Sequence, residues 1–193
     1  MAVLADSPAV NAADAGPTPT KSSASHANPD LASRLSVERS DVAFGSRAVS
    51  LVDLPAGALF ARIATATPGT KAYSSVQVAE SAHIELNSEL LYCNHSCDPS
   101  LVFDMGAMEV RVGEGRALRK GDSLTFFYPS TEWDMAQPFE CSCGAEKCLG
   151  WIHGAKDIDE QVLGRYYLNE HIVRMLKSRA GEGGAGSAGK PAQ

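Results

Sequence analysis

Three cysteines in one short string, Cys141-x-Cys143-x4-Cys148, constrain the fold of this chain more than any other feature. Their neighbours Ser142, Gly144, Glu146 and Lys147 have the character of an exposed loop. That is a poor place for unligated thiols, which otherwise pack as small apolar groups. Gly144 and Gly150 let the backbone curl round an ion. Three thiolates leave one corner of a tetrahedral zinc site open, and either Cys93 or Cys97, well upstream, can fill it. Such a metal would clamp a C-terminal loop onto the segment Asn94-His95-Ser96-Cys97.

The wider use of cysteine agrees with ligation. Five cysteines are an odd number and are bunched, unlike a secreted disulfide framework. Thiolates suit a reducing compartment, so nucleus or cytoplasm is expected, not secretion. Residues 1–5 lack the basic flank and apolar run of a signal peptide. Lys21 is the only Lys or Arg in the first 30 residues, which argues against an arginine-rich transit peptide. No stretch approaches the ~20 apolar residues of a membrane span. A formal charge of −6 argues against a nucleic-acid surface and suits a soluble monomer or a basic partner such as a Lys/Arg-rich peptide.

The 193 residues suffice for one domain with a real core. Residues 1–32 are rich in Ala, Ser, Pro, Thr and Asn and are expected to form a disordered tail. The Gly-rich stretch 180–193 is expected to be a flexible one. Between them, residues 58–63, 73–78, 108–112 and 123–128 read as strands, with a turn at Lys120-Gly121-Asp122. A single helix is predicted over 157–178. Asp157 and Glu160 supply its start signal, and Ile158, Val162, Tyr166, Val173 and Leu176 recur at helical spacing. Gly164 within it costs about 1 kcal/mol relative to Ala. The class is mainly β.

Taken alone, Asn94-His95-Ser96-Cys97-Asp98-Pro99 reads as a polar turn closed by Pro99. Pinned by a metal through Cys97, it would make a good ligand cradle. The order Asn94-His95-Ser96-Cys97, then Gly121-Asp122-Ser123-Leu124-Thr125-Phe126-Phe127-Tyr128, then Cys141-x-Cys143-x4-Cys148-x-Gly150 resembles a SET domain with its post-SET segment. These are S-adenosylmethionine-dependent protein lysine methyltransferases. The resemblance spans about residues 35–153, with a SET domain over 35–128 and a zinc-binding post-SET segment over 137–153. It implies small curved β-sheets with a pseudoknot, followed by one C-terminal helix.

The resemblance also assigns roles. Asn94, His95 and Gly45 would hold the cofactor, as would Trp151 and Tyr128. Tyr128 would be the catalytic tyrosine, and Cys97, not Cys93, would join Cys141, Cys143 and Cys148 on zinc. A lysine ammonium has a pKa near 10.4 and attacks only once neutral, so an apolar aromatic channel is expected, with Phe126, Tyr128, Tyr92, Trp133 and Trp151 as candidate walls. Three positions depart from the family pattern: Arg47 where glycine is frequent, Phe127 where a polar residue is usual, and Leu91 where arginine is frequent. The implied substrate is a protein or peptide lysine. A small amine is the alternative suggested by the short insert over 63–91. A zinc-stabilised peptide-binding pseudoenzyme is the reading that Arg47 and Phe127 suggest.

Overall fold

A computed structural model of the protein describes residues 30–184. The two expected tails fall mostly outside these residues. What is described of them is a short 3-10 turn, Leu31–Ser33, and the end of the last helix, which continues to Gly184.

The strands are short because the sequence alternates over only a few residues before a turn signal intervenes. β1 (Leu35–Glu38) and β2 (Arg47–Ser50) form an antiparallel pair whose connecting loop carries Phe44 and Gly45. β3 (Leu59–Arg62) pairs with β9 (Glu109–Val112), which also pairs with β8 (Leu101–Asp104). β4 (Thr67–Gly69) and β5 (Ser75–Ala79) flank β6 (Ala82–Glu85). β7 (Asn94–His95) runs parallel to β10 (Thr125–Phe126), and β11 (Phe139–Glu140) is antiparallel to β12 (Trp151–Ile152). The result is the mainly β architecture of small sheets that the sequence predicts.

Two apolar clusters hold these sheets. The larger buries Phe60, Leu90, Leu101, Phe103, Val110, Leu118 and Leu124, with Phe103 stacked on Phe126 at 4.1 Å between ring centroids. Each such side chain contributes about 1.5–3 kcal/mol on burial. The smaller cluster joins Phe127, Ala155, Leu163 and Ile172. Phe127 stacks face to face on Tyr166 at 3.7 Å and 6°. An apolar residue therefore suits this position, where the resemblance to SET domains leads one to expect a polar one.

The C-terminal region departs from the single helix expected over 157–178. A 3-10 turn, Ala155–Asp157, leads through extended Ile158 into a single turn, α1 (Glu160–Leu163), and the main helix, α2 (Glu170–Gly184), begins later. The cap of α1 is Asp159, which accepts from Gln161 N, not Asp157. Tertiary partners interrupt the helix. Asn169, buried at its N-terminal edge, accepts from Met105 N at 2.8 Å and donates to Phe103 O at 2.9 Å and Ser130 O at 3.0 Å. Tyr166 donates to Cys97 O at 3.0 Å. Bonds of this kind outweigh the few tenths of a kcal/mol per residue of helix propensity.

Among the predicted strands, 123–128 is reduced to Thr125–Phe126. Tyr128 instead opens a 3-10 turn with Pro129, Tyr128–Ser130. That turn is buttressed by α2 through Asn169 and through His171 Nε2, 2.8 Å from Thr131 O. The helix thus fixes the chain just beyond Tyr128.

Candidate active site and metal centre

The thiol sulfurs of Cys97, Cys141, Cys143 and Cys148 all lie within 4.8 Å of one another. Zinc–sulfur bonds of ~2.3 Å place tetrahedral ligands about 3.8 Å apart, so the four residues fit a zinc ion closely. Gly144 and Gly150 adopt φ of 71° and 75°, supplying the backbone reversals that bring the cysteines together. Two sulfurs also accept backbone N–H groups, Cys97 Sγ from Leu149 at 3.4 Å and Cys148 Sγ from Gly150 at 3.5 Å. Such bonds orient and stabilise thiolate ligands. Burial opposes ionisation at Cys143, yet backbone hydrogen bonds at Cys97 and Ala145 and its thiol neighbours bring it down to about 6. Cys93 stands apart in the main core, its thiol pushed up to about 12 by burial.

His95 couples this centre to Tyr128. Its Nδ1 accepts the Tyr128 backbone N–H at 3.2 Å, which leaves the proton on Nε2, 3.4 Å from Cys97 Sγ. Burial lowers its pKa to about 4, so the ring is neutral. Both nitrogens are thus engaged inside the protein, and any ligand contact by His95 falls to its backbone or the carbon edge of its ring. The neighbouring Asn94 donates Nδ2 to Ser46 O at 3.0 Å, tying β7 to the loop between β1 and β2.

Tyr128 donates its hydroxyl to Cys93 O at 3.2 Å, and burial raises its pKa above the ordinary phenol value, so it remains an O–H donor. Its ring meets Phe126 at 4.7 Å and Phe139 at 6.1 Å. Phe139 belongs to β11, two residues before Cys141, so the loop that carries the cysteines sets this ring over His95 and Tyr128.

A cavity of about 780 Å³ opens here, lined among others by Arg47, Asn94, His95, Phe126, Tyr128 and Phe139. Ligand sites commonly measure ~300–1,000 Å³, so a nucleoside-sized cofactor and a reacting side chain fit together. Of the five aromatic walls expected, Phe126 and Tyr128 line the cavity. Tyr92 instead packs under Arg39, and Trp133 under Arg179. Trp151, 51% exposed, lies on β12 beside His153, away from the cavity wall. Gly45 is not itself in the wall; a Cβ there would stand 2.6 Å from Ser40 Oγ, so the loop would have to shift to accept a side chain.

Arg47 sits in β2, outside the left-handed region, and pairs with Glu38 at 2.8 Å and Ser123 Oγ at 3.2 Å. It therefore needs no glycine-like conformation. The unusual backbone belongs to Phe44, with φ of 59°, uncommon for a bulky residue.

Three wall residues carried no sequence signal. Phe44 and Tyr73, 73% and 74% exposed, meet edge to face at 5.9 Å across the rim. Glu132, only 9% exposed, accepts from Gln77 N at 2.8 Å, and burial raises its pKa to about 7. The first pair comes together only through the meeting of two loops, and Glu132 gains its character only from burial against β5. Proximity of Phe139 to Cys141 is the one cue that spacing offered.

No family model matches the chain. It is 54% identical over 146 residues to methyltransferase flvH of Aspergillus flavus, covering 75% of this chain and 82% of the relative. The chain belongs to the same family of methyltransferases. It is also similar to histone-lysine N-methyltransferases specific for H3 lysine 36, at 32% identity over 76 residues in Debaryomyces hansenii and 36% over 67 residues in Chaetomium globosum. Those matches cover 37% and 33% of this chain but only 10% and 7% of the relatives. Among the described residues no helix is long and apolar enough to cross a membrane.

Proposed function

We propose that the protein is a SET-type N-methyltransferase that moves a methyl group from S-adenosylmethionine to an amine, with a protein lysine as the substrate. The observation that carries this reading is the single cavity in which Tyr128 stands against His95, itself in contact with a sulfur of the four-cysteine cluster. The family kinship, and the partial similarity to lysine methyltransferases, support the same chemistry.

S-adenosylmethionine, when bound, supplies an electrophilic methyl on a sulfonium. The chain's own residues would do the rest. Asn94, the backbone of His95 and the loop carrying Gly45 would hold the cofactor, with Arg47 nearby in the wall. Tyr128 would present its O–H dipole where donor and amine meet, and Phe126 and Phe139 would exclude water from the amine. Positioning of this kind can supply much of a methyl-transfer rate. Zinc on Cys97, Cys141, Cys143 and Cys148 would be structural, holding Phe139 in place. Trp151, half exposed, would contact cofactor only at the outer edge of the metal loop. A nuclear or cytoplasmic setting and a monomeric state go with this reading.

The experiment is methyl transfer from labelled S-adenosylmethionine to a mixture of histones, beside Tyr128→Phe. Label in a lysine of the mixture, lost with the variant, is the expected result. Cofactor binding without any transfer to proteins or small amines would instead favour a peptide-binding protein. One observation favours a small amine as the acceptor: Phe44 and Tyr73, both exposed and in ring contact, are part of the cavity lining, where a bulky protein substrate would have to pass them. Transfer to free amines but not to histones would select that alternative.

A further inference from the structure

Glu132 is the one buried carboxylate in the cavity wall that the reading above leaves without a task. Its Oε1 accepts from Gln77 N at 2.8 Å and Thr131 Oγ1 at 3.2 Å. Oε2 has no hydrogen bond among the described residues and faces His83 Nε2 at 3.8 Å. That nitrogen is itself buried without a hydrogen-bond partner. Lys71 acts on the carboxylate only from a distance, because its ammonium is bonded to Asp134 at 2.6 Å. A carboxylate buried without a bonded cation is costly. A protein keeps one in a cavity wall at little cost if a cation arrives there to pair with it.

We propose that Glu132 is the anionic anchor for the ammonium group of the amine substrate, within the cavity that Tyr128 lines. The proposal rests on the methyltransferase reading and adds the charge state in which the substrate enters. An ammonium has three donors and no acceptor, so it complements Oε2 of Glu132, the carboxylate that lines the cavity. Once it is seated, one proton passes from the ammonium to Oε2. R–NH3+ and the carboxylate become R–NH2 and the carboxylic acid, and the nitrogen lone pair is freed for attack. The groups around the carboxylate allow it to take that proton near neutrality. Gln77 on β5 is uncharged, and His83 on β6 has its pKa lowered by burial, Lys71 and His171. His171 on α2 is likewise lowered by burial. Thr131 and Tyr128 on its own segment remain neutral donors, and burial brings Glu132 itself to about 7.

Butylammonium chloride, a mimic of the lysine side chain, tests the anchor by saturation-transfer NMR on the zinc-loaded full chain, with butanol as the uncharged control. Wild type should prefer butylammonium, and Glu132→Gln should weaken that binding at least tenfold while butanol is unaffected. A second measurement needs no variant. Binding to wild type should fall about tenfold from pH 8 to pH 6, as a carboxyl with a pKa near 7 takes up its proton. Equal binding of both probes, no detectable butylammonium binding, or no fall with pH would each overturn the proposal. Calorimetry with S-adenosylmethionine on the same sample keeps the two ideas apart. Cofactor binding without an ammonium preference defeats the anchor alone, whereas no cofactor binding defeats the methyltransferase reading.

Discussion

Tyr128 is held from three sides, by His95 through its backbone N–H, by Cys93 O through its hydroxyl, and by Phe126 and Phe139 through its ring. Tyr128→Phe keeps the ring packing and removes only the O–H. Methyl transfer should fall by about 10²-fold or more, the scale on which positioned polar groups act, with zinc content unchanged by elemental analysis. Glu132 has a different signature. Its folded pKa is raised by burial to about 7, so the folded state holds a proton that the unfolded chain has released above about pH 4.5. Stability therefore falls as pH rises from about 4.5 through 7. Denaturant titrations of wild type and Glu132→Gln should show the variant gaining on wild type across that window, by at most about 3 kcal/mol. A difference that is flat with pH would contradict this. The clustering of Cys97, Cys141, Cys143 and Cys148 is legible in the sequence because residue type and spacing mark it, and the same motif order singles out Tyr128 as a candidate. Glu132 is not legible in this way, since nothing in Ser130-Thr131-Glu132-Trp133 foretells that β5 will bury the carboxylate.

At the scale of elements, α2 matters to the site through its first residues. Asn169→Ala would remove the side-chain partner of Met105 N and Phe103 O, while Ser130 O would keep only the backbone N–H of residue 169. Urea unfolding should show a loss of about 3 kcal/mol or more. The exposed pair of Arg174 and Glu170 on the same helix is expected to matter far less, with Arg174→Ala changing stability by under about 1 kcal/mol. The sequence carries the existence of this helix through its apolar spacing, but not its start. Gly164, Tyr166 and Asn169 look compatible with a continuous helix until their partners on distant segments are known. Strand positions fare better. Met108-Glu109-Val110-Arg111-Val112 alternates, and β9 occupies four of those five residues. The strand over 123–128 shrinks because Pro129 and the bond from Tyr128 to His95 turn the chain early.

Across the whole molecule, the cysteine cluster joins two regions that the sequence separates widely: the segment ending in Cys97 and the β11–β12 strap that carries Phe139. Asp134 adds a second tie, accepting from Lys71 at 2.6 Å and Lys156 at 2.8 Å. Removing zinc should release the strap while leaving the β3–β9–β8 core folded. Hydrogen exchange after chelation should lose protection over 137–153 and keep it over 101–112. That outcome would mark the strap as a separable element whose order depends on metal, with the cavity beside Phe139 depending on the strap. The most direct test is calorimetric titration of S-adenosylmethionine into the zinc-loaded protein and into the chelated protein. One cofactor per chain with zinc, and binding weakened at least tenfold without it, is the predicted result. No binding to the zinc-loaded protein would contradict the account.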